Sequence, residues 1–126
     1  MVGVIVSSTE PLGTGLEPAS LHNACELLRA LGTPYRLAIV LELSTGPRCV
    51  HELVDALNIS QSLASQHLRV LRSNGLVAGA RRGKETLYHL ADDHIAHIAR
   101  DALTHGREPG HRHTSLPNPT QEEQHL

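Results

Sequence analysis

Apolar residues recur at helical spacing through the middle of the chain. Leu21, Ala24, Leu27, Leu28 and Leu31 fall on one helical stripe, and Ser20 before them carries the hydroxyl of an N-cap, which predicts a first helix ending at Leu31. "GTPY" breaks that pattern. Pro34, tolerated in a first turn, opens a second helix that carries Leu37, Val40 and Leu41 and stops at Gly46 and Pro47. A third helix runs from about Cys49 to Leu57. After Asn58, Ser60 can cap a fourth helix that ends at Asn74 and Gly75, a pair suited to a helix stop.

The period then changes. "LVAGA" and "ETLYHL" read as two strands joined by "RRGK", a turn holding Gly83 and basic residues. Asp92 or Asp93 caps a last helix that fades near Gly106. Residues 1–17 contain Gly, Ser, Thr and Pro without sustained periodicity and are expected to form a flexible arm. Residues 108–126 are expected to form a flexible His-containing tail, which leaves one domain over 18–107. Four helices, a hairpin and a closing helix give a mainly α fold with a β-hairpin wing, the winged helix-turn-helix arrangement.

The 126 residues, 40% of them hydrophobic, can supply one core of ordinary size. Phe and Trp are absent and the aromatic residues are Tyr35 and Tyr88, so the core must be aliphatic, which suits packed helices. No apolar run approaches the roughly 18 residues of a membrane span, and "GVIV" near the start is too short and lacks the basic flank of a signal peptide. A cytoplasmic location with no membrane partner is expected. Cys25 and Cys49 are too few for a disulfide framework. Cys25 lies close to the apolar stripe of the first helix and is expected in the core or at a dimer contact.

The formal net charge of -2 argues against a nucleic-acid partner until its distribution is considered. Between Ser60 and Leu90 the cations are Arg69, Arg72, Arg81, Arg82 and Lys84, and Glu85 is the one acid. At 100° per residue, Leu63, Ala64, Leu68, Val70 and Leu71 occupy one arc of the fourth helix, and Ser62, Ser65, Gln66, Arg69 and Arg72 the opposite one. Gln61, in the first turn, joins this outer set. Gln, Ser and Arg can read base edges in a major groove, while Arg81, Arg82 and Lys84 on the hairpin can grip the flanking backbone or minor groove. A polar helix face or a basic hairpin is common alone. Side by side they make double-stranded DNA the expected partner. His67 falls on the apolar side, where a core imidazole hydrogen-bonded to backbone is expected.

The last helix, within "LADDHIAHIARDALTHGRE", sets His94, His97 and His105 among carboxylates. His94 and His105 lie within roughly 20° on the wheel but about 16.5 Å apart along the axis. Zinc to nitrogen distances are about 2.0 to 2.1 Å, so one straight helix cannot use both on one ion. Two antiparallel copies across a twofold axis could bring Asp92 and His94 of one chain to His105 and Glu108 of its partner, a two-nitrogen, two-oxygen set acceptable to tetrahedral zinc. His94, His97 and Asp101, or His97, Asp101 and His105, also have same-face spacing within one helix. A solvated face in a histidine-rich chain has the same appearance, and spacing leaves these alternatives open. A hydrolytic site would need an open coordination position and a substrate pocket, and no HExxH motif is present, so an enzyme is not expected.

Over roughly residues 20–108 the chain resembles the ArsR/SmtB family of metal-sensing winged-helix repressors. "LRALGTPYRLAIVLEL" is similar to the family's second-helix segment, "CVHELVDALNISQSLASQHLRVLRSNGLV" to its helix-turn-helix and "RRGKETLYHL" to its wing. The last helix resembles the zinc-sensing pattern of Asp, His two later, His eleven further and a carboxylate or His three beyond. The resemblance implies that Asp92, His94, His105 and Glu108 are zinc ligands shared across a homodimer. It further implies that the metal-free dimer binds its operator and that zinc releases it, derepressing metal efflux or transport genes.

Other members ligate through thiols on the third helix. Here "CVHE" keeps Cys49, has His51 in place of a second cysteine and places Glu52 where one subgroup has an acid. That site also draws on the amino-terminal arm, and residues 1–17 contain no His or Cys, so Cys49 is expected chiefly as a structural thiol. The family's nickel and cobalt sensors add ligands to the last-helix site. His97, His111 and His113 are the candidates for that alternative.

Overall fold

In the computed structural model, which describes residues 15–110, five helices accompany a small three-stranded antiparallel sheet. Most of the expected arm and tail, with His111 and His113, lies outside the described residues. The first helix, α1 (Pro18–Leu31), starts before Ser20, with Glu17 at the N-cap position. Proline needs no hydrogen-bond partner in a first turn, which lets the helix begin there. Ser20 therefore sits inside the helix, its hydroxyl donating to the Glu17 carboxylate at 3.3 Å. Thr33 caps α2 (Pro34–Leu43), its Oγ1 accepting the Arg36 N–H at 3.2 Å.

A two-residue strand, β1 (Arg48–Cys49), leads into α3 (Val50–Leu57). It is too short to display an alternating pattern and leaves no local trace in the sequence. Glu52 reaches back to accept the Cys49 N–H at 2.9 Å, which closes the first turn of α3. Asn58, at φ 55 and ψ 50, turns the chain toward α4 (Gln61–Ser73), where the Ser60 hydroxyl accepts the Leu63 N–H at 3.0 Å. The hairpin pairs β2 (Val77–Arg82) with β3 (Glu85–Leu90), and the sheet order is β1-β3-β2. Arg81 and Arg82 are thus strand residues, not turn residues. The turn is shortened to Gly83 and Lys84, and Gly83 adopts the positive φ of 64° that a tight hairpin requires. Asp92 caps α5 (Asp93–Gly106) by accepting the Ile95 N–H at 3.2 Å.

The core is aliphatic. Ile39 and Val40 of α2, Leu53 of α3, Leu63, Leu68 and Leu71 of α4, and Leu76 are almost fully buried, with Ile95 and Ala99 of α5 packed on the same cluster or beside it. His67 joins them at 4% exposure, its ring centroid 6.2 Å from that of Tyr35. The expected backbone tie is not made through its Nε2 atom, which has no hydrogen-bond partner among the described residues. Four apolar expectations are corrected, one of them Ala24, which is exposed on α1. Val70, at the margin of its arc, is 36% exposed, and Leu21 and Leu28 are exposed because α1 buries chiefly its carboxyl-terminal end, Ala30 and Leu31. Cys25 is exposed for the same reason, so its core placement does not hold within one chain. Among the described residues no helix is long and apolar enough to cross a membrane.

Two backbone bonds fix how the ends of this core meet. Leu76 donates to the Leu71 carbonyl of α4 at 2.9 Å, and Ala91 donates to the Leu76 carbonyl at 2.9 Å, one residue before the cap of α5. On the other side of α5, Arg100 Nη2 donates to the Ser44 carbonyl at 3.3 Å.

Ser60→Ala, which removes the side-chain cap of α4, is expected to lower stability by about 1 kcal/mol, read as a lower thermal midpoint by circular dichroism. The Cys49 N–H holds the Glu52 carboxyl below its ordinary value of 4.5. A depressed carboxylate stabilises the fold at neutral pH and loses that contribution as pH falls through and below the ordinary value. Glu52→Gln should therefore be less stable than the wild type at pH 7, with the gap closing in acid denaturation below that value. A gap that stays constant across the range would mean that the charge is not what matters.

Candidate functional site

The outer surface of α4 and the hairpin form one cationic face. Gln61, Ser62, Arg69 and Arg72 are exposed on the helix, Ser65 and Gln66 are half-buried beside them, and Arg81, Arg82 and Lys84 are exposed on the hairpin. Among the described residues, none of these five cations has an ion pair or hydrogen bond to protein. Their charge is left for an external anion. By contrast, Arg48 is spent on the Pro47 carbonyl and the Thr45 hydroxyl. All nine residues expected to contact DNA lie on this helix and hairpin.

Sequence reasoning missed Tyr88, which lies between the two. A notch of about 180 Å³ separates α4 from β3 and is lined by Ser65, Leu68, Arg69, Arg72 and Tyr88. The signal was present in the strand alternation, since Thr86 and Tyr88 share a face of β3 and Gly79 stands opposite Tyr88 in the ladder.

The second set of groups lies on α5. Nδ1 of His94 is 3.4 Å from Oδ1 of Asp92 at the amino-terminal end, and Nδ1 of His105 is 3.4 Å from Oε1 of Glu108 at the other. All four side chains are more than half exposed. Each end thus presents one imidazole and one carboxylate to solvent. Among the described residues no three His, Cys, Asp or Glu side chains converge. One chain presents two donors at each end, of the types zinc accepts, which is half of a tetrahedral set. Asp92 has a second task, because the oxygen near His94 is also the one that caps Ile95.

The other candidate ligands are dispersed. His97 is exposed on α5 between the two pairs, while Cys49 is buried with its amide engaged by Glu52, and His51 is exposed at the start of α3. A separate apolar groove of about 590 Å³ runs between α1, α2 and α5, lined by Leu28, Leu31, Leu37, Leu41, Ile98 and Leu103 among others.

Comparison with known proteins places these features in one group. The family model described as "Bacterial regulatory protein, arsR family" matches residues 33–78, from the cap of α2 into β2. The HTH-type transcriptional repressor SmtB of Mycobacterium tuberculosis is 58% identical over 88 residues, which take in 70% of this chain and 65% of that protein. The chain thus spans slightly less than two thirds of that repressor's length. The HTH-type transcriptional regulator NmtR of the same organism is 39% identical over 101 residues, 80% of this chain and 82% of that protein. Among solved structures, the homodimeric winged helix-turn-helix DNA-binding domain of a possible ArsR-family regulator from Mycobacterium bovis superposes with a TM-score of 0.67 at 25% identity, covering 91% of this chain and all of that one. With its helix-turn-helix and wing assembled as in that domain, and with relatives well above 30% identity over most of their length, the chain belongs to the arsR family of bacterial regulatory proteins.

Proposed function

We propose that the chain is a homodimeric, zinc-responsive transcriptional repressor whose metal-free form holds operator DNA and whose zinc-bound form releases it. The observation that carries this is the presence, in one chain, of two exposed imidazole and carboxylate pairs at opposite ends of α5 and of a separate face of unneutralised cations. The names of the two mycobacterial relatives, a repressor and a regulator, support the regulatory role, and the homodimeric neighbour supports the assembly.

A second copy of the chain is the proposed occupant of the apolar groove and of the exposed stripe Leu21, Cys25 and Leu28. Burying that surface between two copies stabilises the dimer by the hydrophobic effect. If the two α5 helices run antiparallel there, Asp92 and His94 of one chain stand beside the partner subunit's His105 and Glu108. These four groups would hold the ion, and a bound zinc ion supplies a tetrahedral link between their nitrogens and oxygens.

The chain's own backbone offers a route from those groups to DNA. Asp92 follows Ala91, whose amide is tied to Leu76, whose amide is tied in turn to Leu71 of α4. These two bonds join the start of α5 to the end of α4, a physical path by which metal at Asp92 would bias the pose of the recognition helix. Two recognition helices must fit successive major grooves together, so a change of relative pose weakens both contacts at once. Operator affinity then differs between zinc-loaded and metal-free dimers by the factor by which zinc affinity differs between operator-bound and free dimers.

Fluorescence anisotropy of labelled DNA from upstream of the chain's own gene tests this, titrated with metal-free protein and then with zinc, nickel or cobalt. Release at the lowest free concentration by zinc, reversed by chelator, is the expected result. Release by nickel or cobalt instead would bring His97, His111 and His113 into the ligand set, and no release by any metal would remove the sensing role.

His105→Ala should abolish metal-driven release while leaving metal-free DNA binding intact. Asp92→Ser separates the two tasks of that residue. Serine keeps a hydroxyl cap, so thermal stability should stay within a few tenths of a kcal/mol while zinc affinity falls. Equal zinc affinity in the variant and the wild type, measured by chelator competition, would exclude Asp92 as a ligand.

A further inference from the structure

Tyr88 is half-buried on β3 and packs against the core, yet its hydroxyl has no hydrogen bond to the described residues and is not among their buried polar atoms. It opens to solvent. The position of the ring is tightly set. Gly79 stands opposite Tyr88, and a Cβ built there would lie 3.3 Å from Cε1 of the ring and 2.8 Å from the Thr86 methyl. The absence of a side chain at Gly79 gives the ring its seat on the sheet. From that seat Tyr88 lines the notch it shares with Ser65, Leu68, Arg69 and Arg72.

The polar groups around that notch are two guanidinium groups and two hydroxyls, with no carboxylate among the lining residues. Every one of them can donate a hydrogen bond, and the two guanidiniums are unneutralised. Such a set recognises a tetrahedral oxyanion. We infer that the notch seats one phosphate of the DNA backbone, with the Tyr88 hydroxyl as a donor that joins the recognition helix to the wing. This rests on the DNA-binding role proposed above and adds a contact to it. Tyr88 also borders a second recess with Gln61 and Lys84, so a duplex lying along α4 and the hairpin passes over the notch. Contact with a phosphate fixes register and orientation on the duplex and carries no base information.

The test is Tyr88→Phe, which keeps the ring over Gly79 and removes only the hydroxyl. Affinity for the operator and for an unrelated duplex should fall by the same factor, roughly tenfold for one hydrogen bond to a charged group. The dependence of affinity on salt should keep its slope, because no charge is lost, whereas Arg72→Gln should reduce that slope by about 1. The thermal midpoint of Tyr88→Phe should match the wild type. Wild-type DNA affinity in Tyr88→Phe, alongside a weakened Arg72→Gln, would overturn the hydroxyl contact while leaving the DNA-binding role in place. A loss of affinity that tracks a lowered thermal midpoint would make Tyr88 a packing residue only, and a loss confined to the operator would mean contact with a base. If wild type and Arg72→Gln alike bind no duplex, the DNA-binding role itself fails. Inorganic phosphate at matched ionic strength should not raise the thermal midpoint, and a Tyr88-dependent rise would assign the notch to a free anion instead.

Discussion

The inner face of α4 is the fixed point of the molecule. Leu63, Ala64, Leu68 and Leu71 are buried against residues of α2, α3 and the hairpin, and a helix so clamped cannot roll about its axis without exposing them. The outer residues then have no freedom to choose their direction. Arg69 and Arg72 point outward because Leu68 and Leu71, one position before each, point inward. The chain has no Phe or Trp to fill gaps, so this clamp is built from interdigitated aliphatic side chains with two tyrosines added. Tyr35 lies inside with His67, and Tyr88 lines the notch between helix and sheet.

The same sidedness explains what could be read from sequence. Ser60, Thr33 and Asp92 sit where a capping side chain accepts a backbone N–H, and two of those caps, Ser60 and Asp92, follow from the chemistry of their residues alone. The inner arc of α4 was legible except at Val70, because a helical wheel assigns an angle but cannot say where the neighbouring wall ends. Pro18 overrode Ser20 at the start of α1, since a proline suited to a first turn can compete with a good cap downstream. The strand β1 exists by virtue of its partner β3, paired Arg48 to Tyr88 and Cys49 to Leu87, and long-range pairing leaves no local trace in two residues. For the candidate sites, spacing revealed the cations and the α5 pairs. Strand alternation put Tyr88 on one face of β3 with Thr86, but which of the two faces meets α4 is set by the fold and not by the spacing.

The stripe on α1 illustrates the complementary limit. Leu21 and Leu28 have the periodicity of core residues, and within one chain they are exposed. Periodicity reports that a face avoids water but not which molecule covers it. The imidazole and carboxylate pairs on α5 pose the same question in polar form, since two donors make half of a tetrahedral site. Apolar and polar surfaces are thus incomplete on adjacent elements, and a single assembly step would complete both.

The sheet carries a further consequence. Its order places β2 at an edge, with six residues of backbone available to pair with another chain, while β1 covers part of the opposite edge. Open edges are templates for uncontrolled strand addition, and cationic side chains on them repel a second copy. Arg81 and Arg82, exposed at the end of β2, stand where that repulsion is needed. Under the proposed function these two side chains would serve twice, offering charge to a nucleic acid and guarding an open strand edge, so replacing either one would alter solubility and DNA affinity together.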